Sequence, residues 1–340
     1  MKEAMLYEKL PDGSVKCFLC AHRCHILPGK RGICAVRENK DGVLYSLVYG
    51  KVVSMNIDPI EKKPLFHFLP GSESFSIAAV GCNFRCEHCQ NYEISQFPRE
   101  RPDLAIPGKD ATPEEIVGIA HENRCASISY TYTEPTIFLE FAYDCARLAR
   151  QRGIKNVFVS NGFMTPESAR LMAECLDGNN IDLKGDAEFY KKICHARVEP
   201  VRETIRLMKE AGVWVEVTTL IIPGLNDSDD TLREIIEFIK SVDPSIPWHV
   251  TRFYPTYKML HRPRTPVETL RLARRMGLEA GLKYVYEGNV PGEGGENTYC
   301  PSCGELLIGR FGFGILKNLL KGGACFKCGT LMDGVWEYPA

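Results

Sequence analysis

The sequence predicts an α/β fold: a partial or closed parallel (β/α) barrel of six or seven strands, with a small cysteine-rich metal-binding extension at each end. Three observations predict it. Between about residues 75 and 288, short apolar β-type runs alternate with helical patterns, and that alternation implies parallel strands joined by right-handed crossovers. Polar motifs recur directly after the predicted strands, where a barrel keeps its active site. Cysteines are unusually many, fifteen in 340 residues, and eleven fall into three clusters placed before, at the start of and after this region.

The strands are predicted at 76–80, 126–130, 157–160, 180–183, 213–222, 248–253 and 283–286. Between them, Phe138, Phe141, Ala142, Cys145, Leu148 and Ala149 recur at helical spacing and mark one buried face. Thr112-Pro113-Glu114 and Thr165-Pro166-Glu167 each set a capping hydroxyl before Pro and Glu, the expected helix opening. The stretch "NVPGEGGEN" reads as a linker by composition. The domains are therefore predicted as a cysteine-rich N-terminal extension over 1–70, the barrel over 71–288, and a zinc-ribbon-like domain over 289–340.

With 44% apolar residues the chain can bury a sizeable core. Its 42 basic and 43 acidic residues give a formal net charge of −1, so the basic excess of a nucleic-acid binder is missing and nucleic acid is not an expected partner. The opening "MKEAMLYEKLPDG" is polar and has no apolar signal core. No run approaches the roughly 18 apolar residues of a membrane span. A cytoplasmic location is expected, and there clustered thiols mean metal rather than disulfides.

The stretch "GCNFRCEHCQN" (81–91) places Cys82, Cys86 and Cys89, spaced x3 and x2, just after the first predicted strand. Three thiolates can hold a [4Fe–4S] cluster by three irons and leave the fourth open, whereas four-cysteine ferredoxin patterns close every iron. The bland alternative is a three-cysteine zinc site completed by His88.

This CxxxCxxC after a first barrel strand resembles the radical S-adenosylmethionine (SAM) enzymes. The resemblance implies that the open iron binds the amino and carboxyl groups of SAM, that an electron from the cluster cleaves SAM, and that the resulting 5′-deoxyadenosyl radical abstracts hydrogen. It puts the backbone of His88 near the adenine. Tyr132-Thr133-Glu134 stands where many members have Gly-Gly-Glu, so Glu134 is expected to receive the SAM ammonium although the two glycines are missing. Ser160-Asn161-Gly162 resembles the strand end whose polar side chains reach the SAM ribose or carboxylate in glycyl-radical-enzyme activases. Asp182 and Lys184 in "DLKG" resemble the activases' Asp-x-Lys, catalytic residues near SAM and substrate. Residues 217–227, "VTTLIIPGLND", with Thr219, resemble the strand that lies against adenine. Taken singly, Asp182 and Lys184 read as a strand-end ion pair and Asn161 as a turn former; together, in this order, they favour SAM.

Longer stretches, "CFLCAHRCHILPGKRGIC", "YSLVYGKVVSMNIDPIEKKPLFHFLPGS", "CQNYEISQ", "YTYTEPTIF" and "HVTRFYPTYKM", resemble the AmmeMemoRadiSam-system radical SAM proteins, related to pyruvate formate-lyase activating enzyme. That resemblance covers nearly the whole chain. It implies association with AMMECR1-like and Memo-like proteins, and an electron donor such as flavodoxin or ferredoxin.

Cys300-x2-Cys303 and Cys325-x2-Cys328 form two knuckles, each followed by glycine, which close a four-cysteine zinc-ribbon site. A second Fe–S cluster or a single rubredoxin-like iron is the rival, because sequence does not separate these metals. The N-terminal Cys17, Cys20, Cys24 and Cys34 make another four-ligand set, with His22 and His25 as spare neighbours. Structural zinc is the leading reading there, with an auxiliary cluster or reversible thiol chemistry left open. Lys62, Lys63 and His67 are candidates to cover the substrate mouth, or a solvated charged turn. The expected function is a radical SAM oxidoreductase that abstracts hydrogen, with activation of a glycyl-radical protein as the alternative. From other classes, an Fe–S/zinc redox-sensing or binding protein has no need of the Glu134 carboxylate. A zinc hydrolase would want His and Asp at strand ends, where only His195 and His249 stand near.

Overall fold

The alternating apolar runs form one eight-stranded sheet, and the computed structural model describes it within residues 1–337. Numbered in chain order, its strands are β1 (Ser54–Pro59), β2 (Glu73–Ala78), β3 (Ser127–Tyr130), β4 (Lys155–Ser160), β5 (Gly178–Asp182), β6 (Trp214–Ile221), β7 (Trp248–Arg252) and β8 (Val285–Gly288). Spatial order equals chain order. Strands β2 to β8 are parallel, and β1 is antiparallel to β2. Among the described residues β1 and β8 are not paired with each other, so the sheet winds one way as a partial barrel. Residues 54–59, which the sequence reading leaves in the N-terminal extension, thus belong to the barrel sheet. The reason is that β1 needs no crossover: a short return after Pro59 lays it antiparallel along β2.

Six helices join the parallel strands: α1 (Pro113–Glu122), α2 (Leu139–Gln151), α3 (Pro166–Ala173), α4 (Glu199–Glu210), α5 (Asp229–Val242) and α6 (Val267–Glu279). Thr112 and Glu115 form a capping box, as do Thr165 and Ser168, each satisfying backbone donors that a helix start leaves open. On α2 the predicted stripe is buried at Phe141, Ala142, Cys145 and Ala149, against Ile128, Tyr130 and Phe158 on the outer side of the strands. No helix of the described residues is long and apolar enough to cross a membrane.

The two extensions pack at opposite ends. The N-terminal one is built from small antiparallel sheets and meets the C-terminal strand ends: Cys20 bridges Met164, and the Thr165 hydroxyl donates to the Phe18 carbonyl at 2.7 Å. The C-terminal one pairs β9 (Thr298–Tyr299), β10 (Leu306–Phe311) and β11 (Gly314–Asn318); the last three residues of the predicted 289–340 domain lie outside the described residues. It seats beneath the barrel, where Leu307, Ile308 and Met332 bury against Phe66, Tyr284 and Tyr286. Its buried Arg310 donates to the Phe66 carbonyl at 2.8 Å and lies 3.8 Å from Glu61. The 60–72 segment closes this lower end. The Phe66 and His67 amides donate to the Glu216 carboxylate at 3.0 and 2.7 Å, and Glu216 in turn meets His249 at 2.6 Å.

Candidate active site

The loop after β2 carries Cys82, Cys86 and Cys89 at the C-terminal end of the first parallel strand. Its backbone is docked on both sides. Arg85 and Glu87 donate from their amides to the carbonyls of Cys194 and Ile193, each at 3.2 Å. Those acceptors end a π-helical turn, Tyr190–Cys194, a rare geometry found mostly at functional sites. On the other side the Arg99 guanidinium donates to the carbonyls of Cys82, Phe84 and Ile33. Gly81 takes φ +102°, and a Cβ there would meet Val36 at 2.8 Å, so only glycine admits this approach of the N-terminal extension.

Each thiol has polar company. The Phe84 amide donates to Cys82 Sγ at 3.3 Å and the Asn161 side-chain amide at 3.7 Å; the Ser95 hydroxyl lies 3.2 Å from Cys89 Sγ. Cys86 is pushed well above the ordinary thiol range, first by its neighbour Cys194 and then by burial. Asn83 Nδ2 and His88 Nδ1 are buried without partners. Burial, with Lys184 nearby, drives His88 down to about 3 and keeps it neutral.

Glu134 is buried at the centre of the adjacent strand ends. Its carboxylate accepts from the Thr136 amide (2.9 Å) and hydroxyl (2.5 Å), the Ser160 hydroxyl (2.8 Å) and the Asn161 amide (2.7 Å). Three of these bonds reach Oε1 and only the Asn161 amide reaches Oε2, so Oε2 keeps an acceptor position open. Tyr132, standing for the first glycine of the resembled motif, adopts φ +63°. It keeps the left-handed backbone a glycine would supply, at a cost of roughly 1–2 kcal/mol. Its hydroxyl bonds Asp58, its ring lies 4.7 Å from the Lys63 ammonium, and its carbonyl accepts from Asn91 at 2.7 Å.

Asp182 and Lys184 pair at 2.6 Å. Burial lowers Lys184, but Asp182, then Cys86 and Cys194, outweigh it and raise Lys184 well above the usual lysine range. The structure therefore brings Cys82, Cys86, Cys89, His88, Glu134, Ser160, Asn161, Asp182 and Lys184 to one end of the barrel. Thr219 does not join them. Its hydroxyl donates to the Leu183 carbonyl at 2.7 Å and accepts from the Trp248 indole at 2.9 Å, on the helix side of β6, because side chains alternate across a strand.

Other candidates also fall elsewhere. His67 is buried at the lower end, donating to the Asp333 carbonyl and accepting from Tyr286, and so does not cover the mouth, while Lys62 and Lys63 pair with Asp58 and the Lys63 ammonium lies against the Tyr132 ring. His249 is spent on Glu216, and His195 is an exposed left-handed turn residue. His25 is exposed against Ser14, but His22 donates to the Asn83 carbonyl at 2.9 Å and so supports the cysteine loop. Cys194, Arg99 and Asn83 escaped the sequence reading. Cys194 had looked isolated because its partner Cys86 is remote along the chain, and no spacing rule reports such a contact.

The four ribbon sulfurs of Cys300, Cys303, Cys325 and Cys328 all lie within 4.8 Å of one another. The Cys300–Cys328 and Cys303–Cys325 separations are 3.6 and 3.7 Å, close to the edge of about 3.8 Å implied by four sulfurs at 2.3 Å from one zinc. Gly304 and Gly329, both left-handed, turn their amides back to the Cys300 and Cys325 carbonyls at 2.9 Å. Among the described residues no other group of three or more such ligands gathers this tightly. Cys17, Cys20, Cys24 and Cys34 stand wider, as do Cys82, Cys86 and Cys89.

Comparison with known proteins agrees with this arrangement. The Radical SAM superfamily model matches residues 76–239. An uncharacterized protein of Methanocaldococcus jannaschii is 52% identical over 336 residues, covering 98% of this chain and 99% of that one. The pyruvate formate-lyase-activating enzyme of Clostridium pasteurianum is 22% identical over 220 residues, 61% of this chain and 89% of that enzyme. A radical SAM methyltransferase from Sphaerobacter thermophilus shares the fold, with a TM-score of 0.50 and 15% identity across 70% of this chain and 71% of that one. The parallel winding, the three-cysteine loop at its first strand end and these likenesses together mean that the chain belongs to the Radical SAM superfamily, whose members are enzymes of radical chemistry and whose cofactors are a [4Fe–4S] cluster and SAM.

Proposed function

We propose that the protein is an oxidoreductase in which Cys82, Cys86 and Cys89 hold the [4Fe–4S] cluster, SAM is cleaved reductively, and hydrogen is taken from a substrate at the mouth of the barrel. One observation carries this reading: three thiols open together beside two buried polar atoms without partners, Asn83 Nδ2 and His88 Nδ1. When bound, the cluster supplies one electron to SAM. The chain's own residues position and protect. The Phe84 and Asn161 amides donate towards Cys82 and steady its thiolate, as outer hydrogen bonds do for metal ligands. Glu134 joins the Thr136 turn to the Ser160–Asn161 strand end, and its Oε2, which accepts only from Asn161, is placed to receive the SAM ammonium. Lys184, oriented by Asp182, sets a positive charge beside Cys86 and offsets the charge of the thiolates. His88, neutral by burial, offers its ring and backbone to the adenine.

A second reading, activation of a glycyl-radical protein, is favoured by the likeness to the Clostridium activating enzyme. On either reading a flavodoxin- or ferredoxin-type donor in the cytoplasm supplies the electron, and the ribbon holds zinc. AMMECR1-like and Memo-like proteins are the partners suggested by the whole-chain resemblance. Anaerobic reconstitution followed by reduction with SAM should yield 5′-deoxyadenosine and methionine, and the Cys82/Cys86/Cys89→Ala variant should yield neither. Continued SAM cleavage by that variant would sink the assignment. A glycyl radical formed on an added acceptor protein would favour the second reading.

A further inference from the structure

Cys17, Cys20, Cys24 and Cys34 form a second buried thiol cluster at the active-site end of the barrel, and the proposed mechanism does not use it. Cys17, Cys20 and Cys34 are buried, and Cys24 is half-buried. They converge through the backbone: the Cys17 amide donates to the Cys24 carbonyl at 2.9 Å, and the Cys24 sulfur lies against Gly32, two residues before Cys34.

Their geometry is not that of the ribbon. In each ribbon knuckle, the amide of a left-handed glycine four residues after the first cysteine folds back onto that cysteine's carbonyl. The corresponding residue after Cys17 is Ala21, and its amide goes outward to the Phe163 carbonyl at 3.2 Å, while Phe18 donates to Leu6 and Cys20 bridges Met164. The segment is drawn open onto the barrel, and no three of the four sulfurs lie within 4.8 Å of one another. A single zinc needs sulfurs about 3.8 Å apart. A cube of iron and sulfide seats each thiolate on a different iron and so holds them further apart. The sulfurs of Cys82, Cys86 and Cys89 likewise do not all lie within 4.8 Å of one another.

The surroundings suit an anionic group. Arg37 is buried and paired with the Glu140 carboxylate, with Cys17 and Cys34 also near it, and its Nε is buried without a partner. A fully buried donor left unpaired costs about 1–3 kcal/mol, and a bridging or inorganic sulfide would accept from it. Arg99 then ties this cluster to the active site, donating to the carbonyl of Ile33, next to Cys34, and to those of Cys82 and Phe84.

We propose that Cys17, Cys20, Cys24 and Cys34 hold a second, polynuclear iron–sulfur cluster set against the loop of Cys82, Cys86 and Cys89, rather than a single zinc ion. The test uses the full chain, reconstituted anaerobically with iron and sulfide, in the Cys82/Cys86/Cys89→Ala background. Roughly two to four irons with matching sulfide should remain per chain, and adding Cys20→Ala and Cys34→Ala should remove them while one zinc stays. Absence of iron and sulfide in the triple variant, or a second zinc that leaves with Cys20→Ala and Cys34→Ala, overturns the proposal. If these variants do not accumulate, the unmutated chain decides. Iron above about four per chain that survives Cys303→Ser supports the second cluster, and iron at or below that number overturns it. Neither readout depends on SAM cleavage, so this inference and the proposed function fail separately.

Discussion

The two cysteine quartets that flank the barrel have the same ligand and the same number, yet they differ in every physical respect that the fold controls. The C-terminal quartet sits under the N-terminal strand ends, at the opposite end of the barrel from the active-site loop. Its two knuckles are closed by their own glycines, and its sulfurs meet at the edge length of one tetrahedral ion. The N-terminal quartet sits beside the active-site loop, is opened by hydrogen bonds to the barrel, and keeps its sulfurs apart. A local turn that satisfies itself gathers sulfur tightly around one ion. A segment whose backbone is satisfied by another element spreads its sulfur out.

The largest expected effect breaks one side of this comparison. Cys303→Ser should empty the ribbon and loosen residues 298–332, because zinc binding contributes about 10–16 kcal/mol of apparent free energy in small zinc peptides. Hydrogen exchange across that segment and zinc content measure it, and SAM cleavage uncoupled from substrate should persist. If iron instead of zinc disappears, the ribbon is an iron site and the structural role is wrong.

Next comes the ion pair that anchors the ribbon. Arg310 and Glu61 are both fully buried at their side chains, and removing one partner of such a pair typically costs about 3–5 kcal/mol, since the other charge stays buried. Arg310→Met should lower unfolding stability by that amount and leave SAM affinity unchanged. A loss below about 1 kcal/mol would mean that the ribbon is held by its apolar contacts with Phe66, Tyr284 and Tyr286 alone.

The same interface should respond to pH. Burial is the main reason that His67 is held down to about 4, with Arg310 and His249 opposing its protonation and Glu216 favouring it. The unfolded chain takes up this proton near 6.5 and the folded chain only near 4, so the contribution is full above 6.5 and is lost as pH falls through that window. Between pH 7 and pH 5 the loss should be about 2 kcal/mol. His67→Gln should flatten that slope, and an unchanged slope would assign the acid sensitivity to other groups.

How far the sequence could be read follows from the range of the interactions. The seven parallel strands, the Thr112 and Thr165 caps and the ribbon knuckles were legible because each depends on residues within a few positions of one another. The cysteine loop was legible for the same reason. Arg99 and Cys194 were not, since their value lies in contacts made across the fold. Thr219 was misplaced because one position along a strand decides which face it meets. His67 looked like a residue of the mouth until the 60–72 segment proved to run under the barrel. Tyr132 shows the opposite limit: the glycine of the resembled motif is missing, and the left-handed conformation is kept without it.

Arg99 is the counterpart of Arg310, a guanidinium that ties the other quartet to the barrel, and it gives a smaller expected effect than Arg310 and the sharpest contrast. It spans Ile33 on one side and Cys82 and Phe84 on the other, donating to carbonyls rather than neutralising a buried carboxylate. Arg99→Met leaves those acceptors short of a charged donor, which should cost about 1–3 kcal/mol, less than the loss at Arg310. The effect should appear locally. Iron retention by the Cys82, Cys86 and Cys89 loop during anaerobic gel filtration should fall, while zinc content and ribbon protection stay as they were. Arg310→Met should do the reverse. If both variants lower iron retention equally, the two ends of the barrel are coupled as one folding unit, and the separation of a structural end from a chemical end fails.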